Sequence, residues 1–135
     1  MWLTVFLVCQ VDATLRYVAM SVLIVDDHPS FRATARVLLE SEGFEVVGEA
    51  EDGSSALEAV AALHPQIVLL DVQLPDLDGF EVAARLAELN GAAPAVILTS
   101  SRDRMDFGTL VEESGARGFV PKAELSGEAL LSLLN

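Results

Sequence analysis

The segment VLIVDDHPSFR, from Val22 to Arg32, decides the fold class, because its apolar run ends abruptly in two adjacent acids. The four residues Val22–Val25 predict a short, fully buried strand. Asp26 and Asp27 follow at once, and two neighbouring carboxylates lose hydration and repel each other near a core. The segment therefore predicts a buried strand whose end needs a partner of positive charge.

Similar short apolar runs recur along the chain and predict four more strands. They are Val46–Val47, Ile67–Leu70, Ala95–Leu98 and Gly118–Val120. Helical spacing of apolar residues predicts five helices, of which the fourth (Met105, Leu110 and Val111) has the weakest apolar face. Strands that alternate with helices imply a parallel sheet covered on both faces, and the least apolar strand, the second, is expected at an edge.

Local signals mark where these helices begin and end. Pro29 is expected to open the first helix, and Gly43 and Gly91 to follow helix ends. Asp78 is expected to cap the third helix, with Glu81 three residues later as in a capping box. For Asp27 taken alone, a helix cap is as well supported as a ligand.

Composition limits the classes of function. The chain has 135 residues, which suits one domain, and a net charge of −13. Because no cluster of Lys or Arg is present, we expect no direct binding of nucleic acid. The single cysteine, Cys9, excludes an intrachain disulfide and fits a reducing, cytoplasmic setting.

Residues 1–19 are treated separately from the rest of the chain. Their apolar part, residues 2–11, is too short to span a bilayer, so no membrane association is expected. No basic residue precedes it, which weakens the case for a signal peptide. We expect residues 1–19 to be a dispensable extension and residues 20–135 to be the functional domain. An extra packed strand or helix, or a weak membrane contact, stays open as an alternative.

Functional side chains in such sheets collect beyond the carboxyl ends of the strands. Reading these ends gives a short set: Asp26, Asp27, Asp71, Thr99, Ser100, Ser101 and Lys122. Three carboxylates that lie close together either take up protons or bind a cation. Oxygen ligands favour a hard ion, and Mg²⁺ fits because it needs only a few protein oxygens.

Asp71 then has two open roles, metal ligand and nucleophile. A carboxylate can attack phosphorus and form an aspartyl phosphate. The charge of the transferred group needs cations and donors, which Mg²⁺, Lys122 and the Thr99 hydroxyl supply. Each residue also has a simpler explanation: Lys122 as a solvated surface lysine and Thr99 as a β-branched strand residue. Their joint placement at strand ends favours the functional reading.

From residue 20 to residue 135 the chain resembles the receiver domain of two-component response regulators. The resemblance rests on the acidic pair Asp26 and Asp27, on the loop DVQLPDLDG after the third strand, on Thr99, and on GARGFVPK before the last helix. Each motif is weak alone, but the full ordered set is highly specific. It implies a flavodoxin-like α/β fold with a five-stranded parallel sheet in the order 2-1-3-4-5 and five helices.

The resemblance also implies roles for individual residues. Asp71 would accept a phosphoryl group, and Thr99 and Lys122 would contact that group. Mg²⁺ would be held by Asp26 or Asp27, by Asp71 and by the backbone carbonyl of Gln73. The resemblance also implies roles in signalling. Gln73 and Ser101 occupy positions that tune the lifetime of the phosphate. Thr99 and Phe119 would form the switch: Thr99 could move toward the phosphoryl group, and the Phe119 ring could turn inward to fill the vacated space.

Two positions depart from the family pattern. Many members have proline directly after the signature lysine, whereas here Ala123 follows Lys122. The geometry of that peptide bond is therefore left open. Ser100 follows Thr99 where alanine or glycine is common, which narrows the site slightly.

The implied partners are other proteins. A sensor histidine kinase or a phosphotransfer protein would donate the phosphoryl group. The surface of helix four, strand five and helix five would control a downstream target or an output domain, and it would also serve a homodimer if one forms. We expect no turnover of a separate substrate.

Three rival classes of function are considered. A hydrolase of the haloacid-dehalogenase type needs an acid two residues after its nucleophile, where Gln73 stands. A flavodoxin-like binding module needs a loop rich in glycine and hydroxyl groups after the first strand. The segment found there, Asp27-His28-Pro29-Ser30, is not such a loop. A pseudo-receiver that acts without phosphorylation is the remaining alternative, and the intact signature residues argue against it.

Overall fold

The computed structural model of the chain describes residues 20–89, 91 and 93–134. In this part of the chain, five parallel strands form one sheet in the order β2-β1-β3-β4-β5. The strands are β1 Ser21–Val25, β2 Glu45–Ala50, β3 Ile67–Asp71, β4 Ala95–Ser100 and β5 Gly118–Pro121. The predicted strand order is confirmed, and so is the edge position of β2. The prediction for residues 1–19 lies outside the described residues.

Five α-helices in the same part of the chain cover the sheet. They are α1 Pro29–Ser41, α2 Gly53–Leu63, α3 Gly79–Ala87, α4 Leu110–Glu113 and α5 Gly127–Leu134. Short 3-10 helices at Arg104–Phe107 and Lys122–Glu124 precede α4 and α5. The four residues of α4 agree with the weak apolar face predicted there. None of the helices described has the length and apolar character that crossing a bilayer requires.

The sheet separates two hydrophobic cores. Successive residues of a strand point to opposite faces, so Leu23 and Val25 join one core while Val22 and Ile24 join the other. The first core lies under α2 and α3, and the second lies under α1 and α5. Each fully buried Val, Leu or Ile contributes about 1.5–3 kcal/mol. The packed strands therefore give a rigid base to the residues at their ends.

The ends of the helices agree in part with the local signals. α1 begins at Pro29 as predicted, but its N-cap is His28, so the alternative in which Asp27 caps the helix is wrong. Because His28 makes no side-chain hydrogen bond to the first turn, Asp27 and His28 are both available for other contacts. Gly43 and Gly91 have positive φ angles of 96° and 69° and follow the ends of α1 and α3.

The start of α3 shows a simple cap instead of the predicted capping box. The Asp78 side chain accepts a hydrogen bond from the Phe80 amide at 2.7 Å. Glu81 does not reach back to the cap, because its carboxylate pairs with Arg85 one turn further along the helix. Asp78 alone therefore fixes the point at which the loop after β3 becomes helical.

Candidate functional site: an acidic pocket at the edge of the sheet

The carboxyl ends of four strands bring the predicted site residues to one edge of the sheet. Asp26 directly follows β1, Asp71 ends β3, and Thr99 of β4 lies opposite Asp71 in the strand register. Lys122 directly follows β5. Asp26, Asp71 and Thr99 are buried, whereas Asp27 is exposed. Parallel topology thus gathers residues that lie far apart in the sequence.

Lys122 joins the two buried acids. Its Nζ atom lies 2.7 Å from Asp26 Oδ2 and 3.2 Å from Asp71 Oδ2. The ammonium also lies 4.5 Å from the centre of the Phe31 ring, within the range of a cation–π interaction. The peptide bond between Lys122 and Ala123, left open by the sequence, is trans. Lys122 is therefore held in the pocket and is not a solvated surface lysine.

Burial and neighbouring groups shift the pKa values of Asp71 and Asp26 in opposite directions. Burial raises the pKa of Asp71 to about 6, and the adjacent Asp26 adds to the shift, while the Gln73 amide and Lys122 oppose it. Burial also acts to raise the pKa of Asp26, but the nearby Lys122 ammonium and hydrogen bonds from His28 outweigh it and lower that pKa below its ordinary value. Asp71 is therefore the acid whose ionised form gains most from a further positive charge.

The ion pair leaves one buried oxygen without a hydrogen bond. Among the described residues, Asp26 Oδ2 is the buried side-chain atom that has no hydrogen-bond partner. Lys122 Nζ lies 2.7 Å away, at ion-pair distance, without the geometry of a hydrogen bond. The Lys122 ammonium balances the charge of this oxygen, but the hydrogen-bonding capacity of the oxygen stays unused. The pocket thus has an acceptor that a cation fits.

The group that fits a metal ion is larger than the sequence indicated. Ligand atoms of Asp26, Asp27, His28 and Asp71 all lie within 4.8 Å of one another. Three carboxylates in this arrangement suit a hard divalent cation, so Asp26, Asp27 and Asp71 fit Mg²⁺. The sequence analysis considered oxygen ligands alone and missed His28. Its position directly after Asp27 was the available signal.

Gln73 and Ser101, the residues predicted to tune phosphate lifetime, are both exposed beside the pocket. The backbone amide of Gln73 donates a hydrogen bond of 3.0 Å to Asp71 Oδ1. Gln73 also forms an isolated antiparallel bridge with Asp78, which closes the loop after β3. The first residues of this loop are therefore tied to the Asp71 side chain and to the cap of α3.

Two further residues that the sequence analysis missed fix the same loop. Asp76 accepts hydrogen bonds from the amides of Gly53 and Ser54, at 2.7 and 2.9 Å, and so joins the loop to the start of α2. Gly79 packs so closely that an added Cβ would lie 2.3 Å from the Asp71 carbonyl oxygen and 2.7 Å from Val72 Cα. Only glycine fits this close approach, which explains the Asp-Gly pair at the end of the loop.

Arg32 supports the other side of the pocket. Its Nη1 atom donates a hydrogen bond of 2.6 Å to the Asp26 carbonyl oxygen, and its Nε donates to Glu49 Oε1 at 3.0 Å. Glu49 in turn accepts a hydrogen bond of 2.7 Å from Arg36. This network connects α1 and β2 to the end of β1. Its signal in the sequence was weak, because Arg32 is separated from the acids by a helix turn.

The predicted switch residues adopt one defined conformation. The Thr99 hydroxyl donates a hydrogen bond of 2.6 Å to the Val120 carbonyl oxygen. Phe119 is buried, with its ring centre 5.8 Å from that of Phe107, which lies 5.6 Å from that of Phe80. The switch aromatic, which the resemblance allows to turn inward, thus already lies inside in this structure.

The fold and the pocket define the class of protein. A family model for the response regulator receiver domain matches residues 22–135. The chain belongs to this family. The match covers every predicted site residue, the whole acidic pocket and all of the strands except Ser21, the first residue of β1.

Relatives and solved structures agree with this assignment. The chain is 45% identical over 103 residues to the transcription regulator BvgA of Bordetella pertussis, covering 76% of this chain and 49% of the relative. It is 34% identical over 105 residues to the DNA-binding transcriptional activator EvgA of Escherichia coli, covering 78% and 51%. The signal receiver domain of NarL from Mycobacterium tuberculosis superposes with a TM-score of 0.73 at 36% identity, covering 87% of this chain and 98% of that domain. The chain spans about half the length of the curated relatives it matches.

Proposed function

We propose that Asp71 accepts a phosphoryl group from the phosphohistidine of a sensor histidine kinase or of a phosphotransfer protein. The observation that carries this proposal is the position of Lys122, whose ammonium contacts both Asp26 and Asp71. A lysine in this position supplies a point charge for a phosphoryl oxygen. The acceptor carboxylate and a cationic group thus share one pocket.

The transfer itself requires little covalent chemistry from the protein. One Asp71 oxygen attacks the phosphorus, the P–N bond of the donor breaks, and the histidine nitrogen retains the electron pair of that bond. Asp26, Asp27 and Asp71 would hold Mg²⁺, which supplies positive charge for the phosphoryl oxygens. The backbone carbonyl of Gln73 stays a predicted further ligand.

Phosphorylation would act on β4 and β5 beside the pocket. The phosphoryl group adds about −1.5 to −2 charge and new acceptor oxygens. Thr99 would leave the Val120 carbonyl and donate to one of these oxygens, and the packing around Phe119 would change with it. The result is a shift between two packings of the surface formed by α4, β5 and α5.

That surface would control a downstream protein. The similarity to transcription regulators of twice the length supports an output domain as the partner, and a homodimer through the same surface is a further expectation. We assign residues 20–135 to the receiver unit and expect it to work in the cytoplasm, where kinases of this class present their phosphohistidine.

Intact-mass spectrometry after incubation with acetyl phosphate and MgCl₂ tests the proposal. The full chain should gain the mass of one phosphoryl group, and the gain should disappear with EDTA. Asp71→Asn should abolish the gain, whereas Asp103→Asn, at an exposed acid outside the pocket, should retain it. A folded wild-type chain that gains no mass would contradict the proposal and favour the pseudo-receiver. Continuous hydrolysis of added phosphate esters would favour the hydrolase.

A further inference from the structure

The imidazole of His28 lies against both acids of the pair that precedes it. Its Nδ1 atom is 2.9 Å from Asp26 Oδ1 and 3.1 Å from Asp27 Oδ1. The proposed phosphotransfer gives this ring no role. Two close carboxylate oxygens around one ring nitrogen form either a hydrogen-bonded ion pair or one side of a metal site.

The backbone fixes the ring in this position. The His28 amide donates a hydrogen bond of 2.8 Å to Asp26 Oδ1, and Pro29 directly starts α1. The ring is not packed into the core, because its side chain is 64% exposed. Its place beside the acids is therefore set by local backbone geometry, and a change of the ring should leave the core intact.

The distances match those between ligands of one octahedral ion. Neighbouring ligand atoms that bind such an ion at about 2.1 Å lie about 3.0 Å from each other. The two contacts of His28 Nδ1 fall at 2.9 and 3.1 Å, and the Asp71 ligand atom lies within 4.8 Å of the other three. Opposite ligands of the same ion lie about 4.2 Å apart. This separation is compatible with the 4.8 Å within which all four ligand atoms lie.

A second observation points independently to a cation. Asp26 is fully buried, and its Oδ2 atom makes no hydrogen bond, with only the Lys122 ammonium at ion-pair distance, 2.7 Å away. The group therefore combines a buried acceptor that lacks a hydrogen bond, two further carboxylates and a ring nitrogen. The buried Asp26 oxygen and the His28 ring nitrogen therefore both favour a bound cation in this pocket.

We infer that His28 Nδ1 is a metal ligand beside Asp26, Asp27 and Asp71, and that it makes the pocket favour Mn²⁺ and Ni²⁺ over Mg²⁺. Imidazole suits first-row transition ions, whereas Mg²⁺ prefers oxygen. Binding requires the tautomer with its proton on Nε2, which leaves the Nδ1 lone pair free. The inference concerns the metal pocket of the proposed function and does not depend on phosphotransfer.

Calorimetric titration of the full chain with MgCl₂, MnCl₂ and NiCl₂ tests ion preference. In His28→Gln, Ni²⁺ affinity should fall about tenfold or more and Mn²⁺ affinity by less, while Mg²⁺ affinity should change little. The matched control is His64→Asn at the other histidine, which caps the end of α2 with a φ of 50° that asparagine tolerates. This control should leave all three affinities unchanged.

Pulsed EPR of bound Mn²⁺ gives a readout that is independent of phosphorylation. The wild-type chain and His64→Asn should both show magnetic coupling to a directly bound nitrogen, and His28→Gln should lose it. An unchanged ratio of Ni²⁺ to Mg²⁺ affinity in His28→Gln would overturn the inference, as would a wild-type spectrum without nitrogen coupling. An equal loss of all three ions in His28→Gln would also overturn it, because the ring would then act on the acids alone.

The outcome is separable from that of the proposed function. If the wild-type chain is phosphorylated but shows no nitrogen ligand, only the role of His28 fails. If nitrogen coupling is present but no phosphorylation occurs, only the phosphotransfer proposal fails.

Discussion

The ammonium of Lys122 lies 4.5 Å from the centre of the Phe31 ring and 2.7 Å from Asp26 Oδ2. An aromatic face on α1 and a carboxylate after β1 thus hold the same flexible side chain. Because a free lysine side chain loses about 2 kcal/mol of rotamer entropy when it is fixed, this support lowers the cost of keeping the charge in the pocket. The first turn of α1 is therefore part of the site.

Replacing Phe31 with leucine should slow phosphorylation. Leucine keeps an apolar side chain but removes the ring face, and a cation–π contact is worth about 0.5–2 kcal/mol, or roughly a twofold to thirtyfold change in rate. The measurement is the rate of phosphoryl incorporation from acetyl phosphate at fixed Mg²⁺. Phe31→Tyr keeps the ring and serves as the control. Equal rates for the leucine variant and the wild type would show that the ring does not position Lys122.

Replacing Gly79 with alanine should destabilise the loop that carries Asp71. The added Cβ would meet the Asp71 carbonyl oxygen at 2.3 Å, so backbone must move. Overpacking of this kind costs about 1–3 kcal/mol, which denaturant unfolding measures. Glu81→Ala, at an exposed position two residues later, is the control and should stay within about 0.5 kcal/mol. If Gly79→Ala has the same free energy of unfolding as the wild type, the loop relaxes around the added Cβ without strain.

The Arg36–Glu49 pair should make the folded protein less stable as the pH falls into the acid range. The hydrogen bond from Arg36, assisted by Arg32 and opposed by burial, lowers the pKa of Glu49 below its ordinary value of 4.5. A lowered folded-state pKa adds stability that is complete above pH 4.5 and is lost as pH falls through the folded-state value. Because both side chains are partly exposed, the contribution at neutral pH should stay below about 1 kcal/mol.

Denaturant unfolding of Glu49→Gln and of the wild type, measured at several pH values between pH 3 and pH 7, checks this expectation. The difference in the free energy of unfolding should be largest near neutrality and should shrink in acid. Glu58→Gln, at an exposed glutamate of α2, controls for the loss of one charge. A difference that grows as the pH falls would have the wrong sign and would refute the role given to this pair.

Replacing Phe119 should uncouple the signal from the chemistry. Phe119→Leu keeps much of the buried volume, whereas alanine would leave a cavity that costs about 3–5 kcal/mol. We expect phosphorylation of Asp71 to be retained. We expect the phosphorylation-dependent change in amide hydrogen exchange of β5 and α5 to shrink. If Phe119→Leu instead abolishes phosphorylation, the ring supports the pocket and is not a switch.

Much of this arrangement could be predicted from the sequence, because parallel strands fix where their carboxyl ends meet. Asp26, Asp71, Thr99 and Lys122 follow or end apolar runs, and the topology alone brings them to one edge. The weak apolar face of the fourth helix likewise predicted an element that has only four residues in the structure.

The remaining parts of the site depend on contacts that no periodicity encodes. Phe31 and Arg32 face the pocket because of how α1 lies on the sheet, and Asp76 reaches the amides of α2 across the fold. His28 turns back toward its own neighbours through a local hydrogen bond. Side-chain direction at a helix start is set by packing, so these residues become visible only in three dimensions.

The hydrogen bond from Thr99 to the Val120 carbonyl has a consequence for background signalling. If the Thr99 hydroxyl breaks this hydrogen bond when no phosphoryl oxygen is present to accept a new one, the buried Val120 carbonyl loses its partner. That loss costs about 1–3 kcal/mol. Such a cost lowers the resting population of the rearranged form by roughly five- to hundredfold. If the proposed switch operates, this one short hydrogen bond between neighbouring strands would limit the activity of the unphosphorylated protein.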